Sequence, residues 1–196
     1  MQPIQLGIFL FPEVEVLDFA GPFEVFSLAE NEAQEKLFQV HTIGETTETI
    51  QARNGLQVVP DYSFNDHPEL EILIIPGGHG ARVLEVNKPE TLDWIKQQQQ
   101  KVAILASVCT GAFLLAKLGL LDDKKATTHW AHYDELEQQY PQIDIQRNVK
   151  FVDEGKIITA GGISAGIDMS FYLITRLFDQ KLAQQTAKRM EYDIDL

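Results

Sequence analysis

Short, continuous apolar runs alternate along this chain with longer segments whose apolar residues recur every three or four positions. Residues 5–11 (QLGIFLF), 71–75 (EILII) and 102–108 (VAILASV) are such runs, each stopped by turn-forming residues. They read as strands buried on both faces. Residues 38–43 (FQVHTI) alternate and read as a further strand. Residues 57–59 and 61–64 suggest two short strands paired through a turn, and 125–130 (KATTHW) another short strand. A hairpin is expected over 149–160, turning at Asp153, Glu154, Gly155 and Lys156. Helical periodicity marks 18–30, 89–100, 110–121, 132–139, 164–178 and 181–190. In the second of these, Leu92, Trp94 and Ile95 face inward, and the glutamine run 97–100 is the polar end.

Strands alternating with helices predict an α/β fold with a mostly parallel sheet covered on both sides. No repeat or linker divides the chain, and 196 residues suit one domain, 1–196. In such folds ligands sit beyond the carboxyl ends of the strands. Asp18, the Gly77-Gly78 pair, Cys109 and His129 all follow predicted strands, so the topology gathers them on one rim.

Cys109 is the most distinctive of them. It is the only cysteine, and it stands where a strand stops and helical periodicity begins. A nucleophile is well presented on such a turn, which lifts the side chain from the sheet, and a helix start behind it stabilises a thiolate. The turn by itself is equally compatible with a buried core cysteine.

Composition narrows the setting. The net charge of −13 and pI of about 4.7 argue against a nucleic-acid partner, since no dense Lys/Arg stripe opposes the field. No signal-peptide pattern opens the sequence, and no apolar run is long enough to span a bilayer. A single cysteine excludes internal disulfides and multi-cysteine metal sites. A cytoplasmic protein without membrane association is expected. His41, His67, His79 and His132 share no ligand spacing, so no metal site is expected.

Four blocks carry a family resemblance: LGIFLFPEVEVLDFAGPFEVF (6–26), ILIIPGGHG (72–80), SVCTGAFLLAKLGLLDDKKATTHWA (107–131) and ITAGGISAGIDMSFYLI (158–174). In this order they resemble the ThiJ/PfpI superfamily, which shares the class I glutamine amidotransferase-like fold. The combination is most similar to the isonitrile hydratase branch, and also to the sensor halves of AraC-type regulators. The resemblance implies a flavodoxin-like three-layer sandwich, a cysteine at a nucleophile elbow, no cofactor, a small-molecule substrate and a homodimer. Phe23, Val25 and Phe26 are the expected dimer contact. PfpI-type peptidases place histidine after the cysteine, where this chain has Thr110. Glyoxalase and deglycase relatives have glutamate where this chain has Asp18.

The roles that follow are Cys109 as nucleophile, activated to a thiolate near neutral pH, with a strained backbone. Asp18 is a carboxyl bonded to its sulfur, or a helix N-cap, the two roles being compatible. Gly77 and Gly78 let the backbone pass close to substrate. The N–H groups of Gly78 and Thr110 form an oxyanion-hole-like pocket, although the spacing alone describes a simple turn. His129 lies beside the site in a supporting role, as ready to hydrogen-bond to structure as to take a proton. Ser164 and Asp168 begin the helix after Gly161-Gly162, and Glu24 lies on a surface. Phe19 and Trp130 at the mouth suit a largely apolar substrate. The expected reaction is cysteine-dependent hydration of an isonitrile to a formamide. A glyoxalase or deglycase acting on reactive carbonyls, and a ligand sensor, are the alternatives. The regulators add a helix-turn-helix domain after the sensor, and the last residues here (YDID, 192–195) are not expected to begin one.

Overall fold

The computed structural model describes residues 2–194. The main elements are β1 (Ile4–Phe9), α1 (Val16–Leu28), β2 (Phe38–Gly44), β3 (Ile50–Gln51), β4 (Gln57–Val58), β5 (Tyr62–Ser63), β6 (Ile72–Ile75) and α2 (His79–Val83). They continue with α3 (Pro89–Lys101), β7 (Ile104–Val108), α4 (Ala112–Lys117), β8 (Lys125–Ala126), α5 (Tyr133–Gln139) and β9 (Asp144–Ile145). The last are β10 (Phe151–Glu154), β11 (Ile157–Ala160), α6 (Ala165–Leu177) and α7 (Gln180–Arg189).

The main sheet runs β10-β11-β7-β6-β1-β2-β5. Every pairing is parallel except the edge hairpin of β10 with β11. Counting its five core parallel strands in chain order, the arrangement is 2-1-3-4-5, the flavodoxin-like order. The path from β1 to β2 runs one way across the sheet, and β6 to β7 and then β11 run the other. Right-handed crossovers in opposite directions put the connecting helices on opposite faces. Thus α1 packs with α6 and α7 on one side, and α3 and α4 cover the other. This double cover is why β6 and β7 are buried at every position and read as unbroken apolar runs.

The strand order reverses between β1 and β6. The first strand is followed by Asp18 in α1 and the second by Gly77, so the switch point itself assembles half of the candidate site.

Several local expectations are corrected. The short strands 57–59 and 61–64 do not pair with each other. Instead β4 pairs with β3, and β5 joins the edge of the main sheet beside β2. The helix expected over 110–121 is a 3-10 turn (Cys109–Gly111) followed by only α4. Gly119, at φ +69°, ends it. Gly119 N–H donates to the Ala116 carbonyl at 2.9 Å and Leu120 N–H to the Leu115 carbonyl at 3.0 Å, the two bonds of a Schellman cap. The apolar spacing of Leu118, Leu120 and Leu121 hides that stop. The strand expected over 125–130 keeps two residues. Gln98, within the supposedly polar end of α3, is buried and meets His67 Nε2 at 3.3 Å. Val25 and Phe26 are fully buried in the chain's own core, so they cannot form the dimer contact expected of them.

Candidate active site

Cys109 sits where β7 leaves the sheet, with φ +55°. A non-glycine residue in the left-handed region costs about 1–3 kcal/mol and persists only where its surroundings hold it. Here two bonds from distant segments do so. Cys109 N–H donates to the Gly161 carbonyl at 3.0 Å, and Thr128 Oγ1 donates to the Cys109 carbonyl at 2.7 Å. The strained elbow expected from the sequence is present.

The β6 end passes directly against this elbow. A Cβ on Gly77 would stand 2.5 Å from Thr110 N and 2.8 Å from Cys109 Cβ, so no larger residue fits. Gly78 adopts φ +124°, which only glycine holds without strain. The amide of each glycine is already engaged. Gly77 N–H donates to Asp18 Oδ2 at 2.9 Å, and Gly78 N–H to Thr110 Oγ1 at 2.9 Å. The Gly78 N–H therefore does not face open space as an oxyanion donor. Thr110, whose hydroxyl also donates to the Gly78 carbonyl at 3.1 Å, instead clamps the two loops together.

Asp18 is fully buried in the first turn of α1. It does not cap that helix, because α1 begins two residues earlier and Asp18 is turned inward to Gly77. Its carboxyl lies beside the Cys109 thiol, and its Oδ1 has no hydrogen-bond partner. Burial raises its pKa to about 8, against the pull of the Gly77 N–H, and the nearby Glu15 charge adds to the rise. Near neutral pH the carboxyl is protonated, and the otherwise idle Oδ1 can then donate to sulfur.

Burial also pushes the Cys109 thiol well above its usual value, and the Asp18 charge pushes the same way. The N–H groups of Thr110 and Ile163 face the sulfur and pull in the opposite direction. The expected neutral-pH thiolate is thus corrected. Cys109 is only 6% exposed, and desolvation outweighs a helix start as short as this one.

The cavity above the sulfur has a volume of about 210 Å³. His129 lines it, but its Nδ1 accepts the Ala131 N–H at 3.2 Å and caps the following turn. Burial and the neighbouring His132 lower its pKa, keeping it neutral. Phe19 is packed in the core, and Trp130, 72% exposed, lies outside the wall. Charged and polar residues stand in their place: Glu15, Arg53, His79, Arg82 and His132. The expected apolar mouth is therefore a polar one.

Sequence reasoning missed these wall residues because β-strand ends and helix starts far apart in the chain supply them. It also missed Ile163. This β-branched residue is held at φ +51°, and its N–H faces the sulfur. The preceding Gly161-Gly162 was its only signal. A Cβ on Gly162 would collide with the His129 ring, so that close approach requires glycine. Asp168 turns away to pair with Lys150 at 2.7 Å, Ser164 precedes α6 without a side-chain cap bond, and Glu24 is exposed. No group of three or more His, Cys, Asp or Glu placed to hold a metal occurs among the described residues. Nor is any described helix long and apolar enough to cross a membrane.

A doubly wound α/β domain with a strained cysteine elbow and a buried acid at its switch point defines a cysteine-elbow class of protein. The chain belongs to the DJ-1/PfpI family, whose profile matches residues 5–176. It is 36% identical over 189 residues to the isonitrile hydratase of Pseudomonas putida, covering 96% of this chain and 78% of that one. It is 25% identical to the HTH-type transcriptional regulator GbdR of Pseudomonas aeruginosa, covering 97% of this chain but only 51% of the regulator. A ThiJ/PfpI family protein from Pseudomonas syringae superposes with a TM-score of 0.88 at 27% identity, over all of this chain and 78% of that one.

Proposed function

We propose that the protein is an enzyme that hydrates a small isonitrile to an N-substituted formamide. The observation that carries this reading is the buried Asp18 carboxyl, held protonated at neutral pH beside the Cys109 sulfur. The likeness to the Pseudomonas putida isonitrile hydratase supports it. An isonitrile carbon must gain a proton as it gains a nucleophile. Sulfur attacks that carbon while the Asp18 proton is delivered to it, and the thiol proton passes to Asp18. The product is a thioimidate, R–N=CH–S–Cys109. Water then adds to its carbon, and collapse releases the formamide and the thiol. The cavity is small, and its polar wall suits an isonitrile bearing a polar substituent better than a purely hydrocarbon one.

A ligand sensor is the second reading, favoured by the match to the regulator along nearly all of this chain. A panel of isonitriles and methylglyoxal separates these readings. Formamide formation, followed by mass spectrometry, is the expected result. Turnover of methylglyoxal alone would select a glyoxalase, and tight small-ligand binding without turnover would select the sensor.

A homodimer is part of the proposal. Leu17, Trp130 and Ile163 are large, exposed and each within two residues of the cavity wall. A second copy covering them would replace the contact first expected at α1. Light scattering at micromolar concentration should give about twice 22.1 kDa, and a monomer throughout a dilution series would refute this.

A further inference from the structure

The cavity wall holds a second ionisable pair that the Cys109–Asp18 chemistry leaves unused. His132 Nδ1 lies 2.9 Å from Glu135 Oε2. Both Glu135 oxygens also accept from Arg82 Nη1, at 3.0 and 3.2 Å. Burial raises the Glu135 pKa, but the bonds from His132 and Arg82 outweigh it and keep the group below the usual carboxylate range. A carboxylate on Nδ1 keeps the proton there and leaves the lone pair on Nε2. The ring is braced edge-on against Phe113, with centroids 6.3 Å apart, and lies 5.8 Å from the His129 ring.

We infer that His132, oriented by Glu135, is the general base that activates the water attacking the Cys109 adduct. This rests on the hydratase reading and adds the second half of its mechanism. Asp18 is poorly placed for that step, because it is fully buried and its Oδ2 is taken by Gly77. His129 is excluded by its own hydrogen bond, since the Nδ1 lone pair is spent on Ala131 and Nε2 carries the proton. His132 is partly exposed and lines the same cavity as Cys109. The charged and titratable groups around it are Glu135, Arg82 and His129, with Glu15, Arg53 and His79 elsewhere in the wall.

The step balances without any further reactant. His132 Nε2 takes a proton from water as the oxygen bonds to the thioimidate carbon. The imidazolium returns that proton to nitrogen, giving R–NH–CH(OH)–S–Cys109. Cleavage of the carbon–sulfur bond then releases R–NH–CHO, and the hydroxyl proton goes to sulfur.

Rapid mixing with methyl isocyanoacetate, read by intact-protein mass and formamide yield, tests the assignment. His132→Gln should form the adduct at close to the wild-type rate but hydrolyse it about 10²–10⁴-fold more slowly, so the adduct accumulates. Glu135→Gln should fold, form the adduct at close to the wild-type rate and slow its hydrolysis less than His132→Gln does. A His132→Gln enzyme with wild-type hydrolysis would overturn the assignment alone. So would equal slowing of adduct formation and breakdown. A wild-type protein giving neither adduct nor formamide overturns the hydratase reading and this one with it.

Discussion

Cys109→Ala and Cys109→Ser are each expected to bring formamide production to the level of the uncatalysed reaction. This is the largest effect anticipated from any single substitution. No other thiol exists in the chain to replace the lost nucleophile. Serine keeps the size of the side chain, but its hydroxyl is a much poorer nucleophile than sulfur at any accessible pH. Because the thiol is buried and its pKa raised, wild-type Cys109 should also react with iodoacetamide at pH 7 more slowly than a free cysteine. Labelling should accelerate only in alkaline solution, where the thiolate first forms. Labelling at pH 7 as fast as free cysteine would show that the sulfur is activated by a group other than Asp18 and the Thr110 and Ile163 N–H groups. Formamide production by Cys109→Ala at a rate near wild type would remove covalent catalysis altogether.

Asp18→Asn is expected to separate activity from stability. The amide keeps an acceptor for Gly77 N–H and a donor towards sulfur, but it cannot transfer a proton. Turnover should fall by about 10²–10⁴-fold. Wild-type activity should itself decline as pH rises through about 8, where the required acid is lost. In the variant, stability moves opposite to activity. The folded-state pKa of about 8 lies above the unfolded value near 3.8, so native Asp18 holds a proton that the unfolded chain releases. This contribution is fully present below pH 4 and is lost as pH rises towards 8, at about 1.4 kcal/mol per pH unit. The amide of the variant does not titrate in this range. The variant should therefore melt above wild type at pH 8, by a margin that shrinks towards pH 4. Parallel melting curves across that range would mean that Asp18 is not held protonated.

The positions that resemble a family illustrate what could be read directly. The LD-x-x-GP block placed Asp18 just beyond the first strand, and SVCTG placed Cys109 at the end of another. Both expectations depend on local chain order, and both held in the folded chain. The roles of their amide neighbours depended on contacts across the sheet. Gly78 N–H looked free in sequence, yet Thr110 Oγ1, 32 residues away, occupies it. His129 looked like the supporting histidine, but its lone pair is committed to a turn, and His132 three residues on carries the free one. The supposed dimer contact failed for a related reason. Val25 and Phe26 have the pattern of an apolar face, and periodicity does not tell whether the chain's own core or a partner covers it.

The sequence by itself determined the α/β class, the succession of the core strands along the chain and the strand-to-helix turn at Cys109. These follow from local periodicity and turn chemistry, whereas the flavodoxin-like sheet and the partnership of Asp18 with Cys109 were what the family resemblance implied. Only the tertiary structure decided the burial that raises the pKa values of Asp18 and Cys109, the polar wall and the pairing of His132 with Glu135. Each of those depends on burial or on an approach between strand ends, and desolvation and distance in space have no counterpart in the linear order of residues.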